Sequence, residues 1–376
     1  MKHMEKAPLM PTRVFVLVLM PILAVTLVPY YAFSVGFSAF DWSMGVLFAV
    51  ITLHSISAGY HRLWSHKAYH AHFAVRLFYA IWGGCTIQNT ILNWASDHRN
   101  HHKFVDDRDR DPYSASRGFW FSHMGWMIRD HKGGPDDFSN VKDLVRDPIV
   151  MWQHKYYIEL VLVTNIALPL LIGYLFSTAL GVFLLAGLLR LVVIHHFTFF
   201  INSLAHIWGS QPYSDGNSSR DNLILAVLTF GEGYHNYHHS FQGDYRNGIR
   251  WWHYDPTKWV LTVFSWIGLT SRLKRASQLQ VEKARLAMQY KRALRQAEHL
   301  QEAARWCHHV EERYAQFLVA LEEWATFKQE WYQSKKNELL ATLERAELKQ
   351  RYAELKKNVK FQRQEWHLLT AQLAAV

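Results

Sequence analysis

Four apolar runs constrain this chain more than any other feature: about Val14–Phe33, Trp42–Tyr60, Ile158–Phe176 and Leu180–Phe200. As a helix, each is long enough to cross a hydrocarbon core of roughly 30 Å, which takes about 20 residues. A backbone in lipid must satisfy its own hydrogen bonds, so helices are the expected form. The runs form two hairpins with short connections, Ser34–Asp41 and Ser177–Gly181, and neither connection carries Lys or Arg. The region Arg62–Lys155 and the chain after Arg220 are rich in both. By the positive-inside rule the short connections lie outside and both termini lie in the cytosol. Lys2, Lys6 and Arg13 before the first run imitate a signal peptide. The run is long, contains Pro21 and Pro29 and has no convincing small-residue cleavage site, so it is read as a retained span.

Histidines cluster beside these runs, as His61-Arg62-Leu63-Trp64-Ser65-His66, His98-Arg99-Asn100-His101-His102 and His235-Asn236-Tyr237-His238-His239. In the last cluster the spacing i, i+3, i+4 puts three imidazoles on one helical face, able to point into one site. The i, i+5 spacing of His61 and His66 is not one α-helical face, so the helix is expected to end between them. Together the clusters exceed what one tetrahedral zinc can use. Imidazole suits iron, zinc, copper and nickel, and the number points to two metals. One such cluster alone reads as a hydrogen-bonded surface or a chance zinc site. Three, all placed on the cytosolic side by the topology above, read as a shared centre.

These boxes also carry a resemblance. HRLWSH, HRNHH and HNYHH, in that order, resemble the three boxes of the membrane-bound fatty acid desaturases, and are most similar to the acyl-CoA Δ9 (stearoyl-CoA type) branch. The similarity extends to Trp94 and Asp97, Lys103-Phe104, Asp111-Pro112, Arg117-Gly118-Phe119 and Ser122-His123-Met124-Gly125-Trp126. It continues in Asn202-Ser203-Leu204-Ala205-His206, Gly209, Pro212-Tyr213 and Arg220-Asp221-Asn222. It covers roughly residues 10–272 and not the tail.

The resemblance implies an all-α integral membrane protein: four transmembrane helices in two hairpins, with a cytosolic helical cap holding a di-iron site. The ligands it implies are His61, His66, His98, His101, His102, His206, His235, His238 and His239. Asn202, one helical turn before His206, would hold a water on one of two iron ions. O2 is then the co-substrate. The implied reaction is insertion of a cis double bond, at C9, into a saturated C16 or C18 fatty acyl-CoA, for unsaturated fatty acid biosynthesis. No catalytic residue beyond the metal ligands is implied. Trp94 would line the bend of an acyl tunnel. Ala49 and Leu53, one turn apart on the second span, would limit the chain beyond the irons, with the bulk of Leu53 favouring C16 over C18. Asn89 and Asp97 match positions that contact the CoA end. The chain also departs from the branch. Ser96 stands where the branch has Arg, and Asp130-His131 stand where it has an Arg-Lys pair, although Arg129 and Lys132 flank them. CoA phosphates want cations, so an acyl-lipid substrate stays open beside acyl-CoA.

Desaturation removes hydrogen from an unactivated alkyl chain, which no side-chain acid or base can do, so the cofactor carries that step. Electrons must come from outside. The nearest string to the heme motif His-Pro-Gly-Gly is His131-Lys132-Gly133-Gly134. Only Cys85 and Cys307 are present, too few for an iron–sulfur cluster and in keeping with a reducing compartment. No Gly-x-Gly-x-x-Gly is visible. A separate ferredoxin, rubredoxin or cytochrome b5 with its reductase is implied. The net charge of +10 is explained by cytosolic membrane loops, and no nucleic-acid motif accompanies it. A bacterial inner membrane is the expected location.

Other residues get plainer readings. Phe73–Trp94 is apolar but broken by Arg76 and Gly83-Gly84, and a span there would separate the first two boxes across the bilayer. It is read as a helix in the interface or under the cap, as is the Trp-rich stretch Trp251–Leu269. His54, His195 and His196 are read as hydrogen-bonded helix histidines, and His123 as a neighbour of the site rather than a ligand. Arg190 sits mid-span and must face the interior. Residues 1–272 are read as the membrane unit and 273–376 as a cytosolic helical tail. There Leu279, Leu286, Ala293, Leu300, Cys307, Tyr314 and Leu321 recur every seven residues, with a second stripe at Tyr290, Ala297, Ala304, Leu318 and Ala325. Ser334 would cap a second helix to about Leu373, giving a hairpin for self-association or donor docking. His299, His308 and His309 in the tail are read as solvated.

Three other readings compete: a hydroxylase on the same scaffold, a His-rich membrane metal transporter, and a structural scaffold using its tail. Transporters place ligands near the bilayer midplane, whereas these boxes sit beyond the spans.

Overall fold

The computed structural model describes residues 7–131, 136–334 and 342–375. Lys2, Lys6 and Lys132–Gly134, named above, lie outside them. The described residues fall into two compact units, one of residues up to 210 with 216–275, the other of 211–215 with the chain from Ala276 onward.

The first unit is built on four helices long and apolar enough to cross a membrane: Pro11–Ser34, Ala39–Ser65, Tyr157–Phe176 and Ala179–His206. They match the four expected spans, and the second and fourth extend further towards the histidines. Ser38 starts the second span with a reciprocal cap, its hydroxyl accepting from Asp41 N while its own N–H donates to the Asp41 carboxylate. The two short connections meet. Ser38 Oγ lies 3.0 Å from Ser177 Oγ, and Tyr31 OH lies 3.0 Å from Thr178 Oγ1. Both hairpin loops are therefore at one end, and the C-terminal ends of the second and fourth spans are at the other.

The second span ends between His61 and His66, at Ser65, as its spacing predicts. Its last ten residues, Ile56–Ser65, wind with i→i+5 hydrogen bonds, and His66 N donates to His61 O at 3.1 Å. In such wide turns residues five apart stack, so the two imidazoles do share a face, with ring centroids 4.8 Å apart. The single helix expected over Phe73–Trp94 is two. Helix Phe73–Gly84 is too short to cross a bilayer, and helix Ile91–Phe104, capped by the Thr90 hydroxyl, carries the second histidine cluster. The break between them turns through positive φ at Ile87 and Asn89.

That break would leave backbone groups unsatisfied among the spans. Side chains of the spans take them up. Arg190 donates to Cys85 O at 3.0 Å and His195 Nε2 to Thr86 O at 2.6 Å. Tyr60 OH donates to Asn89 O at 3.3 Å, and Asn89 N donates to Tyr157 OH at 3.0 Å. Arg190 also donates to Asn165 Oδ1 at 2.7 Å and to Ala186 O at 2.8 Å. Its cost in the span is met by carbonyl groups and a neutral amide, not by an acid. His54 and His195 are hydrogen-bonded helix residues as read, His54 to Tyr79 OH at 3.1 Å. His196 is hydrogen-bonded as read too, its Nδ1 lying 3.1 Å from His123 Nε2.

Near its end the first unit is tied back by a two-residue antiparallel pairing of His70–Ala71 with Thr270–Ser271. The Trp-rich stretch contains one helix, Pro256–Trp266, which buries Thr257, Lys258 and Leu261. It exposes Trp259, Val263 and Trp266, and Trp251 just before it is 79% exposed. An apolar stripe of this kind on a membrane protein suits the headgroup level.

The second unit is a bundle of three helices, Gln278–Ala297, Ala303–Ser334 and Thr342–Ala375. The expected first arm of a hairpin is interrupted, with Glu302 at φ 55°. The seven-residue seam then closes on itself. Leu286, Ala293 and Leu321 are buried with Val359 and Trp366, and Tyr290 stacks on Tyr314 at 4.2 Å. One helix cannot bury a seam that folds back against its own second half, so the chain breaks to let the halves meet. Ser334, expected to cap a second helix, is instead the last residue of helix Ala303–Ser334, its hydroxyl donating back to Trp331 O at 2.8 Å, and the residues just after it lie outside the described ones.

Candidate metal centre

The nine named histidines converge in two neighbouring groups. His61, His66, His98, His102 and His238 form one, and His101, His206, His235 and His239 the other. Within each group one ligand atom per residue lies within 4.8 Å of all the rest. The first cluster, His61 and His66, goes whole to the first group, and the second and third clusters are each divided between the two. His98 and His102, four apart, go to the first and His101 to the second. His235 and His239, four apart, go to the second and His238 to the first. The shared face of the third cluster therefore serves two sites, not one. An i, i+4 pair stacks one above the other, whereas the i+3 residue is rotated to the side of the stripe.

The Nε2 atoms point inward. They are 2.8 Å apart for His66 and His98, 3.0 Å for His61 and His238, and 3.0 Å for His238 and His102. In the second group they are 3.1 Å apart for His206 and His235, 3.1 Å for His235 and His239, and 3.3 Å for His101 and His239. Two nitrogens bound at about 2.0–2.1 Å to one ion, at right angles, would lie about 3 Å apart. The five imidazoles of the first group exceed a tetrahedral zinc set and fit an ion of higher coordination number, iron among the metals imidazole suits; the second group offers four.

Protonation agrees. Burial pushes His66, His98, His102, His238 and His239 well below the usual histidine value, and lowers His235 to about 3. Neutral imidazole is the form that binds a metal.

Four outer Nδ1 atoms have partners that turn the inner nitrogens to the centre. His101 Nδ1 faces Asp111 Oδ1 at 2.9 Å, His98 Nδ1 faces Tyr113 OH at 3.1 Å, and His206 Nδ1 faces Ser218 Oγ at 2.7 Å. His61 Nδ1 lies 2.8 Å from Glu232 Oε2, off the line of a straight hydrogen bond, so this contact is mainly electrostatic. Burial alone would raise the Glu232 carboxyl, but His61 and Arg62 beside it and a hydrogen bond from Ser57 hold it well below the usual carboxylate range. Glu232 reaches this place from a tight turn. Phe230 and Gly231 have positive φ. A Cβ on Gly231 would come 2.7 Å from the Asp255 side chain, and one on Gly233 2.1 Å from Ala226 N. Only glycines on either side let Glu232 enter.

Sequence reasoning gave no role to Glu232, Tyr113 or Ser218, and cited Asp111 only as part of a match. Tyr113 and Ser218 meet histidines 15 and 12 positions away, beyond a helical turn, and Glu232 meets a histidine of another cluster. One local signal existed: a lone acid between two glycines, three residues before His235. Arg99 was also passed over. It donates to Trp64 O (2.8 Å) and Ser65 O (3.0 Å), the orphan carbonyls at the end of the second span. With its other edge it pairs with Asp143 at 2.7 and 3.0 Å, which locks the first histidine cluster to the second.

Trp94 stacks on His98 at 4.8 Å and touches His61 at 6.0 Å. Asp97 is half-buried on the same helix, and Ala49 and Leu53 lie one turn apart on the second span, Leu53 buried. The Asn89 side chain accepts from Thr90 N at 2.9 Å, a local turn bond. Asn202 ends the helical part of the fourth span, half-buried, one turn before His206. Ser96 is buried and donates to Asn140 Oδ1 at 2.9 Å. Arg129 donates to Ala7 O at 2.6 Å.

The fatty acid desaturase family profile matches residues 40–265. The chain is 45% identical over 257 residues to acyl-CoA desaturase 1 of Saccharomyces cerevisiae, covering 68% of this chain and 49% of that protein. It is 44% identical to a probable acyl-CoA desaturase of Schizosaccharomyces pombe, covering 61% of this chain and 48% of that protein. It is 39% identical to stearoyl-CoA desaturase 5 of Bos taurus, covering 62% of this chain and 71% of that protein. The chain thus matches about half the length of the two fungal relatives.

Proposed function

The chain belongs to the fatty acid desaturase family, and we propose that it inserts a cis double bond at C9 of a saturated C16 or C18 fatty acyl-CoA, using two irons, O2 and electrons from a separate donor protein. The observation that carries this reading is the pair of adjacent, buried, all-imidazole groups of five and four residues. Bound irons would supply the O2-derived oxidising power that removal of unactivated hydrogens requires. His61, His66, His98, His102 and His238 would hold one, and His101, His206, His235 and His239 the other, with Asn202 joined through a water.

The chain's own residues do the rest. Burial favours the neutral form of His66, His98, His102, His235, His238 and His239, and outer partners turn the Nε2 atoms of His98, His101 and His206 inward. Trp94, flat against His98, would press the acyl chain towards the centre. Leu53 would limit how much chain fits beyond it, with Ala49 beside it. Asn89 and Asp97 are assigned to the CoA end. The centre is placed on the cytosolic side, where the basic loops lie, and the tail is assigned to self-association or donor docking.

Transport of metal is disfavoured by placement. Of the nine histidines only His61 and His206 lie on spans, in the last turns of each, whereas a transported ion is held near the midplane. The test is product analysis. The full chain, expressed in a strain lacking unsaturated fatty acids, should restore growth and yield cis-Δ9 monoenes. Purified protein with a donor system should then be given the same chain as CoA thioester and as phospholipid. Turnover of the lipid alone would replace the CoA assignment. A hydroxylated product without alkene would overturn desaturation.

A further inference from the structure

Both outer contacts of the four-imidazole group that reach an acid come from one loop, the residues after helix Ile91–Phe104. Asp111 Oδ1 accepts directly from His101 Nδ1 at 2.9 Å. His206 stands on another element, at the end of the fourth span, and reaches its acid through a hydroxyl. Asp106 Oδ1 accepts from Ser218 Oγ at 2.5 Å, and Asp106 Oδ2 accepts from Ser218 N at 2.7 Å. Ser218 Oγ lies 2.7 Å from His206 Nδ1. The direct separation of His206 Nδ1 and Asp106 Oδ1 is 4.0 Å, too far for a hydrogen bond.

The proton count fixes the direction of the chain. A carboxylate only accepts, so the single hydroxyl proton of Ser218 goes to Asp106. The hydroxyl can then only accept from His206, which must carry its proton on Nδ1. That leaves the Nε2 lone pair facing His235 Nε2, 3.1 Å away. Asp106 is held for this task in an unusual conformation. It is a non-glycine residue at φ 68°, and its own N–H donates to Asp111 Oδ2 at 3.1 Å. Positive φ in such a residue is rare and is kept only when the surroundings over-determine it.

We propose that Asp106 is a positioning residue, which through Ser218 sets the tautomer and rotation of His206 and so completes the four-imidazole site. The proposal rests on the metal-centre reading above. The test uses full-length protein purified in detergent, as wild type, Asp106→Asn, Asp106→Glu, Ser218→Ala and, as control, Asp107→Asn, whose exposed partner is Arg110. Metal per chain is measured after dialysis against graded chelator, together with the iron Mössbauer spectrum and the melting temperature of metal-free protein. Loss of such an outer partner typically weakens metal affinity 10–100-fold. Asp106→Asn and Ser218→Ala should therefore lose one of two irons at 10–100-fold lower chelator, with the second retained and the metal-free melting temperature unchanged. Asp106→Glu should recover part of the loss, and Asp107→Asn should behave as wild type.

Wild-type retention of both irons in Asp106→Asn, with an unaltered spectrum, would overturn the proposal. So would equal loss of both irons with a lower metal-free melting temperature, since that describes a purely structural residue. If wild type carries a metal other than iron, the desaturase reading fails, and the proposal is still decided by whether Asp106→Asn lowers retention of that metal. A wild type that holds no metal would overturn both.

Discussion

Arg62 and Asp255, 193 positions apart in the chain, pair through two parallel hydrogen bonds of 3.1 and 3.0 Å. Both are buried. Arg62 also reaches Glu232 at 3.0 Å and Tyr245 O at 2.7 Å, so one guanidinium joins the second span, the turn before the third histidine cluster and the cap of helix Pro256–Trp266. Removing one partner of a buried pair leaves an uncompensated charge, at a cost of roughly 3–5 kcal/mol. Arg62→Met should lower the melting temperature of the purified protein well beyond the effect of Arg110→Met, whose guanidinium is exposed. Equal effects of the two substitutions would show that the buried network contributes little.

Acid should release metal before it unfolds the spans. His235 is lowered to about 3, and His66, His98, His102, His238 and His239 are pushed well below their ordinary value, chiefly by burial. The unfolded chain binds these protons near pH 6.5. The stability they contribute is therefore fully present above about pH 6.5 and is lost as pH falls towards the lowered native values. Glu232 adds a second phase of the same sign below about pH 4.5. Melting temperature and metal retention, followed from pH 8 down to pH 4.5, should be flat at first and then fall below about pH 6.5. A rise on acidification would contradict the buried, neutral assignment.

Leu53 is the position at which chain length should be adjustable. It is buried on the second span, one turn from Ala49. Leu53→Ala should shift product from C16 towards C18 while leaving the double bond at C9. Truncating a buried leucine costs about 2–5 kcal/mol, so the variant is compared at a temperature where it stays metal-loaded. A moved double bond would place Leu53 near the head-group end instead.

The tail should be separable from the chemistry. The first unit runs to Arg275, and its last residues are engaged within it. Lys274 N donates to Ala68 O at 2.9 Å, Tyr245 N donates to Lys274 O at 2.9 Å, and Arg275 donates to Tyr245 OH at 3.2 Å. Truncation after Arg275 should keep full metal content and turnover with an artificial electron source. Turnover lost with metal retained would assign the tail a part in the reaction itself.

Much of this protein was legible without coordinates. The four spans follow from run length, because a bilayer leaves helices as the form such runs can take. The nine histidines were legible because ligand type and local spacing are written in consecutive residues and matched a known family. Their partition was not. Which of His98, His101 and His102 joins which group depends on the approach of His61, His66, His206 and the third cluster, all remote in the chain. The widened turns that bring His61 and His66 onto one face, and the break at Cys85–Thr90 held by Arg190 and His195, were also hidden. Each is a local cost met by a distant partner, and no window of sequence contains both. Glu232 and Asp106 belong to the same class. An acid is polar wherever it is read, and only the folded chain decides whether its carboxylate meets water or the Nδ1 side of a clustered histidine.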